Sequence, residues 1–378
     1  MNLLYLGDIN SIHDFKWSSF FGLKEGFNIY FLTEEENYKR ISSESEIQFK
    51  ESNINILPPI GNFSIRNPIS SFKSILKLNS YIKEYQINIF HVLFGSPQSV
   101  WLNFIPNKVK NIVTTRGSDV LVLLKQVMNE GGIKNRILRR FLISGLRKAD
   151  YIAATSYKQI EYLIECGVDK DKIKLIKTGV DVDRVKNQSK NESLSTKKEK
   201  FIFSARYIGN IYNMDYQIEA IKNLSKETLN NYSFLFSKSR GDNSSFFHKT
   251  IAKLESIEGL EYDLCEGATQ NQMWATLKAS SLVYMVPKSD GTPNTALECM
   301  AGRVPLIMGN LDYNKELFSN VCISVDLQEP KDFARKLEEG LKNYPKELLD
   351  KAEIIVKKFG NREVEMNKLL DLYLSLNV

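Results

Sequence analysis

The residues best equipped for chemistry lie in the run Ser289-Asp290-Gly291-Thr292-Pro293-Asn294-Thr295-Ala296-Leu297-Glu298-Cys299-Met300-Ala301. An apolar stretch, 282–286, precedes it and reads as a buried strand. A helix is predicted to open behind it, with Pro293 in the first turn, where its missing N–H costs nothing. Such a turn aims several unpaired amides at one spot, and a helix N-terminus attracts anions. Asp290 and Glu298 flank that spot, eight positions apart. The arrangement suits a phosphorylated, hydroxyl-rich ligand. Thr295-x-x-Glu298 equally fits a capping box, which would commit the carboxylate to the helix's own amides.

Arg206 follows the apolar run 201–205, where its planar fork suits two oxygens of a diphosphate. Lys238 and Arg240 follow the next such run, and Gly267 sits in a turn, Glu266-Gly267-Ala268-Thr269, that can offer backbone groups to a nucleobase. In the first half, Gly7-Asp8-Ile9-Asn10-Ser11-Ile12-His13 follows the first apolar run. Gly7 permits close backbone approach and Ser11 can cap the next helix. This is not Gly-x-Gly-x-x-Gly, so a dinucleotide site is not indicated. His13 fits an acid, a base or a hydroxyl ligand, and equally a plain surface histidine. His91 leads into Phe94-Gly95-Ser96-Pro97-Gln98-Ser99, and Thr114-Thr115-Arg116-Gly117-Ser118-Asp119 repeats the pattern one strand later. Three polar turns at successive strand ends can bind a polar acceptor; each also fits ordinary turn chemistry. Asp181-x-Asp183 is a short acidic pair read as structural. No other carboxylate or histidine cluster has ligand spacing, so no metal is expected.

Apolar runs at 3–6, 28–32, 54–57, 87–92, 112–115, 151–154 and 173–176 alternate with helical patterns, the clearest at 70–85 with Phe72, Ile75, Leu76 and Ile82 on one stripe. Continuous apolar strands separated by helices imply a parallel sheet covered on both faces. After the polar stretch 186–200 the alternation restarts at 201–205, 232–236, 282–286, 305–308 and 321–325. The expectation is therefore α/β, with two doubly wound domains: 1–186, a linker at 187–200, 201–360, and a C-terminal helix at 361–378 returning to the first domain. Ligands then belong in the cleft at the strands' carboxyl ends.

The chain has 378 residues, 43% hydrophobic and 25% charged, with a formal charge of +6. That charge tolerates phosphates and anionic lipid without suggesting a nucleic-acid binder. Four scattered cysteines, Cys166, Cys265, Cys299 and Cys322, read as reduced core residues of a cytoplasmic protein. No apolar run is long enough to span a membrane, and the start, Met1 to Asp8, reads as a first strand rather than a signal sequence. The basic stretch Ile133–Lys148 carries Lys134, Arg136, Arg139, Arg140, Arg147 and Lys148 without an acidic residue. It suits the anionic inner face of the membrane or a solvated helix face.

These motifs, in this order, resemble the retaining glycosyltransferases of family 4, whose GT-B architecture has two Rossmann-like domains facing across a cleft. The run 289–301 resembles the family's acidic–x7–Glu segment, with Asp290 where many members have Glu. Ala149-Asp150-Tyr151 through Ser156, Lys177-Thr178-Gly179-Val180-Asp181 and the Gly7–Trp17 turn resemble further signposts. The resemblance implies sugar transfer from a UDP- or GDP-linked donor, without cofactor or metal, to a glycan or lipid-linked acceptor of a bacterial surface polysaccharide. It implies that Glu298 holds the ribose, while Arg206, Asp290 and the amides of Gly291, Thr292, Pro293, Asn294 and Thr295 hold the sugar and phosphates, assisted by Lys238 and Gly267. Asp290, Glu298 and Arg206 are the catalytic candidates. Gly7, Asn10, His13, His91, Gly95, Ser96 and Arg116 form the acceptor side. Three positions depart from the pattern: Ile211 where members commonly carry lysine, Arg116 where many have histidine, and Arg303 where glycine is usual. A nucleotide-sugar epimerase, or a member that binds without turnover, fits the same motifs.

Overall fold

The computed structural model describes residues 1–239 and 241–376. It divides into two compact units: Met1–Thr178 together with the segment from Glu365 onward, and Gly179–Val364. In the first, β1 (Asn2–Leu6), β2 (Asn28–Leu32), β3 (Ile54–Ile56), β4 (Ile89–Val92), β5 (Lys110–Thr114), β6 (Tyr151–Ala154) and β7 (Ile173–Leu175) form one sheet in the order β3-β2-β1-β4-β5-β6-β7. All the pairings are parallel, with Leu3 opposite Ile29 on one side and Ile89 on the other. The central strands are largely apolar on both faces because successive side chains enter two different cores. Leu4 and Leu6 join Phe90, Val92 and Leu142, whereas Leu3 and Tyr5 join Trp17, Phe21 and Tyr373.

The second unit repeats the plan. β8 (Phe201–Tyr207), β9 (Ser233–Lys238), β10 (Tyr262–Glu266), β11 (Leu282–Met285), β12 (Leu306–Gly309) and β13 (Ile323–Val325) lie in the order β10-β9-β8-β11-β12-β13, again parallel. In each sheet the order reverses beside the first strand, between β1 and β4 and between β8 and β11. Ligands of open α/β sheets bind at the carboxyl ends of the strands at such a reversal.

Three local readings change. β10 has no counterpart among the apolar runs. As an edge strand it has one sheet neighbour, so Tyr-Asp-Leu-Cys-Glu can carry polar residues. The helix expected at 70–85 is Pro68–Glu84, capped by Asn67, and its buried side is Ser71, Ser74, Leu78, Tyr81 and Ile82. Small serines let it lie close to the 61–64 loop, where Ser71 bonds the backbone of Ser64, and Phe72 and Leu76 stay exposed. Residues 187–200, read from composition as a linker, are held to the second unit. Leu194 N donates to Thr276 Oγ1 (3.0 Å), Lys197 N to Asp263, and Lys198 Nζ to the carbonyls of Leu229 and Asn230.

The last helix, Arg362–Leu376, completes the first unit. Met366, Leu369 and Tyr373 are fully buried in the core with Tyr5, Trp17 and Phe21. Lys177 and Glu365 form an ion pair (3.5 Å) with both side chains almost wholly enclosed, and the Lys177 amide donates to the same carboxylate (2.8 Å).

Candidate functional site

In the second unit, Arg206 and the 286–293 turn come from the carboxyl ends of β8 and β11, the two strands that flank the reversal. The Arg206 guanidinium bonds Asp290 Oδ2, and Asp290 Oδ1 receives the Gly291 amide at 2.8 Å. Arg206 also lies over the Tyr212 ring, 5.6 Å from its centroid. Burial by itself lowers the guanidinium's proton affinity, but Asp290 and then Tyr212 more than offset this, leaving the pKa raised. The site therefore keeps its cation.

The helix behind the turn is Asn294–Ala301, and Pro293 is its extended cap residue rather than a member of the first turn. Pro293 itself offers no side-chain cap, and Thr295 lies inside the helix, so it is not the cap residue of a box with Glu298. Glu298 is instead buried (6% exposed) and receives Gln270 Nε2 at 3.1 Å. Gln270 opens the helix Gln270–Ala279, whose own capping box joins Thr269 to Gln272. Gly267, in the left-handed region (φ +67), makes the turn from β10 into that helix. The capping signal thus belongs to the helix that delivers Glu298's partner.

Lys238 ends β9 and pairs with Glu266 (2.9 Å), which also accepts the Gly241 amide. Arg240 lies outside the described residues. A lysine that the sequence reading did not select, Lys288, is tied to the loop after β8: its amide donates to Ile211 O (2.8 Å) and its Nζ to Asn210 Oδ1 (2.9 Å). Lys288 has no motif of its own; only strand order brings it to this loop.

In the first unit the turns after β1, β4 and β5 are bound together. Arg116 pairs with the buried Asp14 carboxylate and donates from Nη1 to Ser11 Oγ at 3.1 Å. Ser11 caps the helix Ile12–Gly22 through the Asp14 amide. Burial lowers the Arg116 pKa to about 10, against the opposing charges of Asp119 and Asp8. The Asp119 carboxylate takes the amides of Gly95 (2.7 Å), Arg116, Gly117 and Val120, although burial still raises its pKa. Gly7 lets Asp14 approach the turn, since a Cβ there would strike the carboxylate. Asp14 was not selected from sequence, and Asp119 stood at the end of a recognised turn without a role, because a carboxylate whose partners arrive from other strands has no local signal of its own.

The acceptor candidates separate by exposure. Asn10 and His13 are exposed; Gly7, Gly95 and Ser96 are buried, and Arg116 is nearly so. His91 is withdrawn from the acceptor set. It is completely buried, with Nδ1 2.5 Å from the Tyr373 hydroxyl and Nε2 2.8 Å from Thr114 Oγ1. Asp181 caps the helix Val182–Asn187 through the Arg184 amide. Among the described residues no group of three or more His, Cys, Asp or Glu is placed to hold a metal, and no helix is long and apolar enough to cross a membrane.

Residues 24–184 match the model of Glycosyltransferase Family 4, and residues 185–358 that of Glycosyl transferases group 1. The chain belongs to the family 4 glycosyltransferases. As a member of that family it is a transferase enzyme of the GT-B fold class, and solved structures agree in fold. A glycosyltransferase from Rickettsia africae is 14% identical with a TM-score of 0.74, covering 99% of this chain and 98% of that one. HepE of Anabaena, solved with UDP and glucose, is 10% identical with a TM-score of 0.75, covering 99% and 100%. Sucrose-phosphate synthase of Thermosynechococcus elongatus is 14% identical with a TM-score of 0.72, covering 100% and 99%. Among curated proteins no sequence matches.

Proposed function

We propose that this family 4 glycosyltransferase moves a sugar from a UDP- or GDP-linked donor to an acceptor hydroxyl, with retention at the anomeric carbon and without a metal ion. The observation that carries the reading is the Arg206–Asp290 pair beside the amides of the Asn294–Ala301 helix, with Glu298 buried behind them. Bound UDP in the HepE structure supports a nucleotide donor. The leaving diphosphate gains charge as the glycosidic bond breaks. A fixed cation and helix-end amides stabilise that charge in the transition state more than in the ground state. Lys288, tied to the loop carrying Ile211, adds positive charge where this chain lacks the family's common lysine. In same-face attack the leaving phosphate oxygen takes the acceptor's proton, so no protein base is required. Asn10 and His13 are the side chains offered to the acceptor. The Glu298→Gln variant should fold normally yet lose at least tenfold in donor affinity or turnover. Release of UDP or GDP should occur only with acceptor present, which separates transfer from epimerisation and from binding alone. Full activity in Glu298→Gln would sink the site assignment.

The acceptor is proposed to be a lipid-linked or growing surface glycan at the inner face of a bacterial membrane. Of the six basic residues in Ile133–Lys148, Arg139, Arg147 and Lys148 bond backbone carbonyls of their own unit. Lys134, Arg136 and Arg140 are exposed beside Ile133, which is 75% exposed. The helix Pro68–Glu84 adds exposed Ile69, Phe72 and Leu76 flanked by Lys73 and Lys77. Each basic residue near an anionic surface contributes about 1 kcal/mol. Co-sedimentation with phosphatidylglycerol vesicles should fall with added salt and with Phe72→Ser. Equal binding to neutral phosphatidylcholine would remove this proposal.

A further inference from the structure

Among the described residues, several buried hydrogen-bond donors of the second unit have no acceptor within the protein, and three of them, Arg206 Nε, the Tyr313 hydroxyl and Asn314 Nδ2, lie around the turn that carries Asp290. Tyr313 and Asn314 lie on the loop after β12, and its position is fixed from several directions. The Asn314 amide donates to Gly291 O at 3.2 Å, which joins this loop to the turn carrying Asp290. Asn314 is 3% exposed, and its Oδ1 accepts the Glu316 amide, so its acceptor is used and its donor is not. The Tyr313 ring packs against Phe318, with centroids 5.6 Å apart. Burial, with the neighbouring Asp290 charge adding to it, raises the Tyr313 pKa far above its ordinary value. The hydroxyl remains a protonated donor throughout the working pH range. An unpaired buried donor costs about 1–3 kcal/mol, and native proteins leave few of them. Three of one polarity around one turn call for a ligand rich in acceptor oxygens.

We propose that Tyr313 is a diphosphate-binding residue of this enzyme: its hydroxyl donates to an oxygen of the donor's diphosphate beside Arg206, with Asn314 Nδ2 supporting the same group. This rests on the reading of the Arg206–Asp290 turn as a nucleotide-sugar site. The test compares wild type with Tyr313→Phe by calorimetric titration with UDP and with GDP, and by thermal melting without ligand. The variant should bind the preferred nucleotide about tenfold more weakly, the loss expected for one hydrogen bond to a charged oxygen. Its ligand-free melting point should stay equal or rise, because the hydroxyl has no protein partner to lose. Unchanged affinity overturns the assignment, as does a melting point lowered by several degrees, which would mark a structural hydroxyl. If wild type binds neither nucleotide, the donor-site reading fails and takes this assignment with it.

Discussion

His91 stays neutral because the fold encloses both of its ring nitrogens between Tyr373 and Thr114 and leaves the ring no water. Burial lowers its pKa from 6.5 to about 3. Between those values the unfolded chain takes up a proton that the folded chain refuses. Stability is therefore complete above about pH 6.5 and is lost as pH falls through the window, at about 1.4 kcal/mol per pH unit from this residue. His91→Gln should be less stable than wild type at pH 7.5. The difference in denaturant midpoint between the two should narrow by pH 5, because the variant has no proton to gain. A gap of the same size at both pH values would show that the ring's ionisation contributes nothing.

At the scale of elements, the buried Lys177–Glu365 pair fastens the last helix to the end of β7. Removing one partner strands a charge, which costs about 3–5 kcal/mol, whereas apolar replacement of both is often tolerated. Glu365→Gln should therefore lower the urea midpoint sharply, and Lys177→Met combined with Glu365→Leu should recover most of it. If the double variant is no better than the single, the pair's charges are not what stabilises this junction. The strands were legible wherever both faces are covered, as in Leu3-Leu4-Tyr5-Leu6, and illegible at the edge strand β10. The stretch 187–200 read as a linker because its attachments run through backbone amides and lysine ammonium groups, which leave no apolar period. Arg206 and the Asp290–Glu298 segment were legible because each carries its own local signal of strand end, turn and helix start. The roles of Asp14, Asp119, Lys288 and Tyr313 were not. Each acquires its meaning from a residue that the strand order brings beside it.

The whole molecule has an asymmetry in chain order. The second unit, Gly179–Val364, is one continuous segment, whereas the first is finished only by residues from Glu365 onward. Those residues supply Met366, Leu369 and Tyr373, all fully buried. At about 1.5–3 kcal/mol for each buried side chain, they contribute an amount comparable to a domain's entire net stability of about 5–15 kcal/mol. Without them Lys177 also loses its counter-charge, and Tyr5 and His91 lose the Tyr373 hydroxyl. Expressed separately, 179–364 should fold with a cooperative melt and keep the nucleotide affinity of the full chain, since every donor-site residue named above lies within it. The fragment 1–178 should be insoluble or molten, and joining 365–376 to it through a flexible linker should restore a cooperative transition. Circular dichroism melts of the three proteins decide the matter. A sharp, reversible transition from 1–178 alone would mean that the last helix is an accessory to the first unit rather than part of its core.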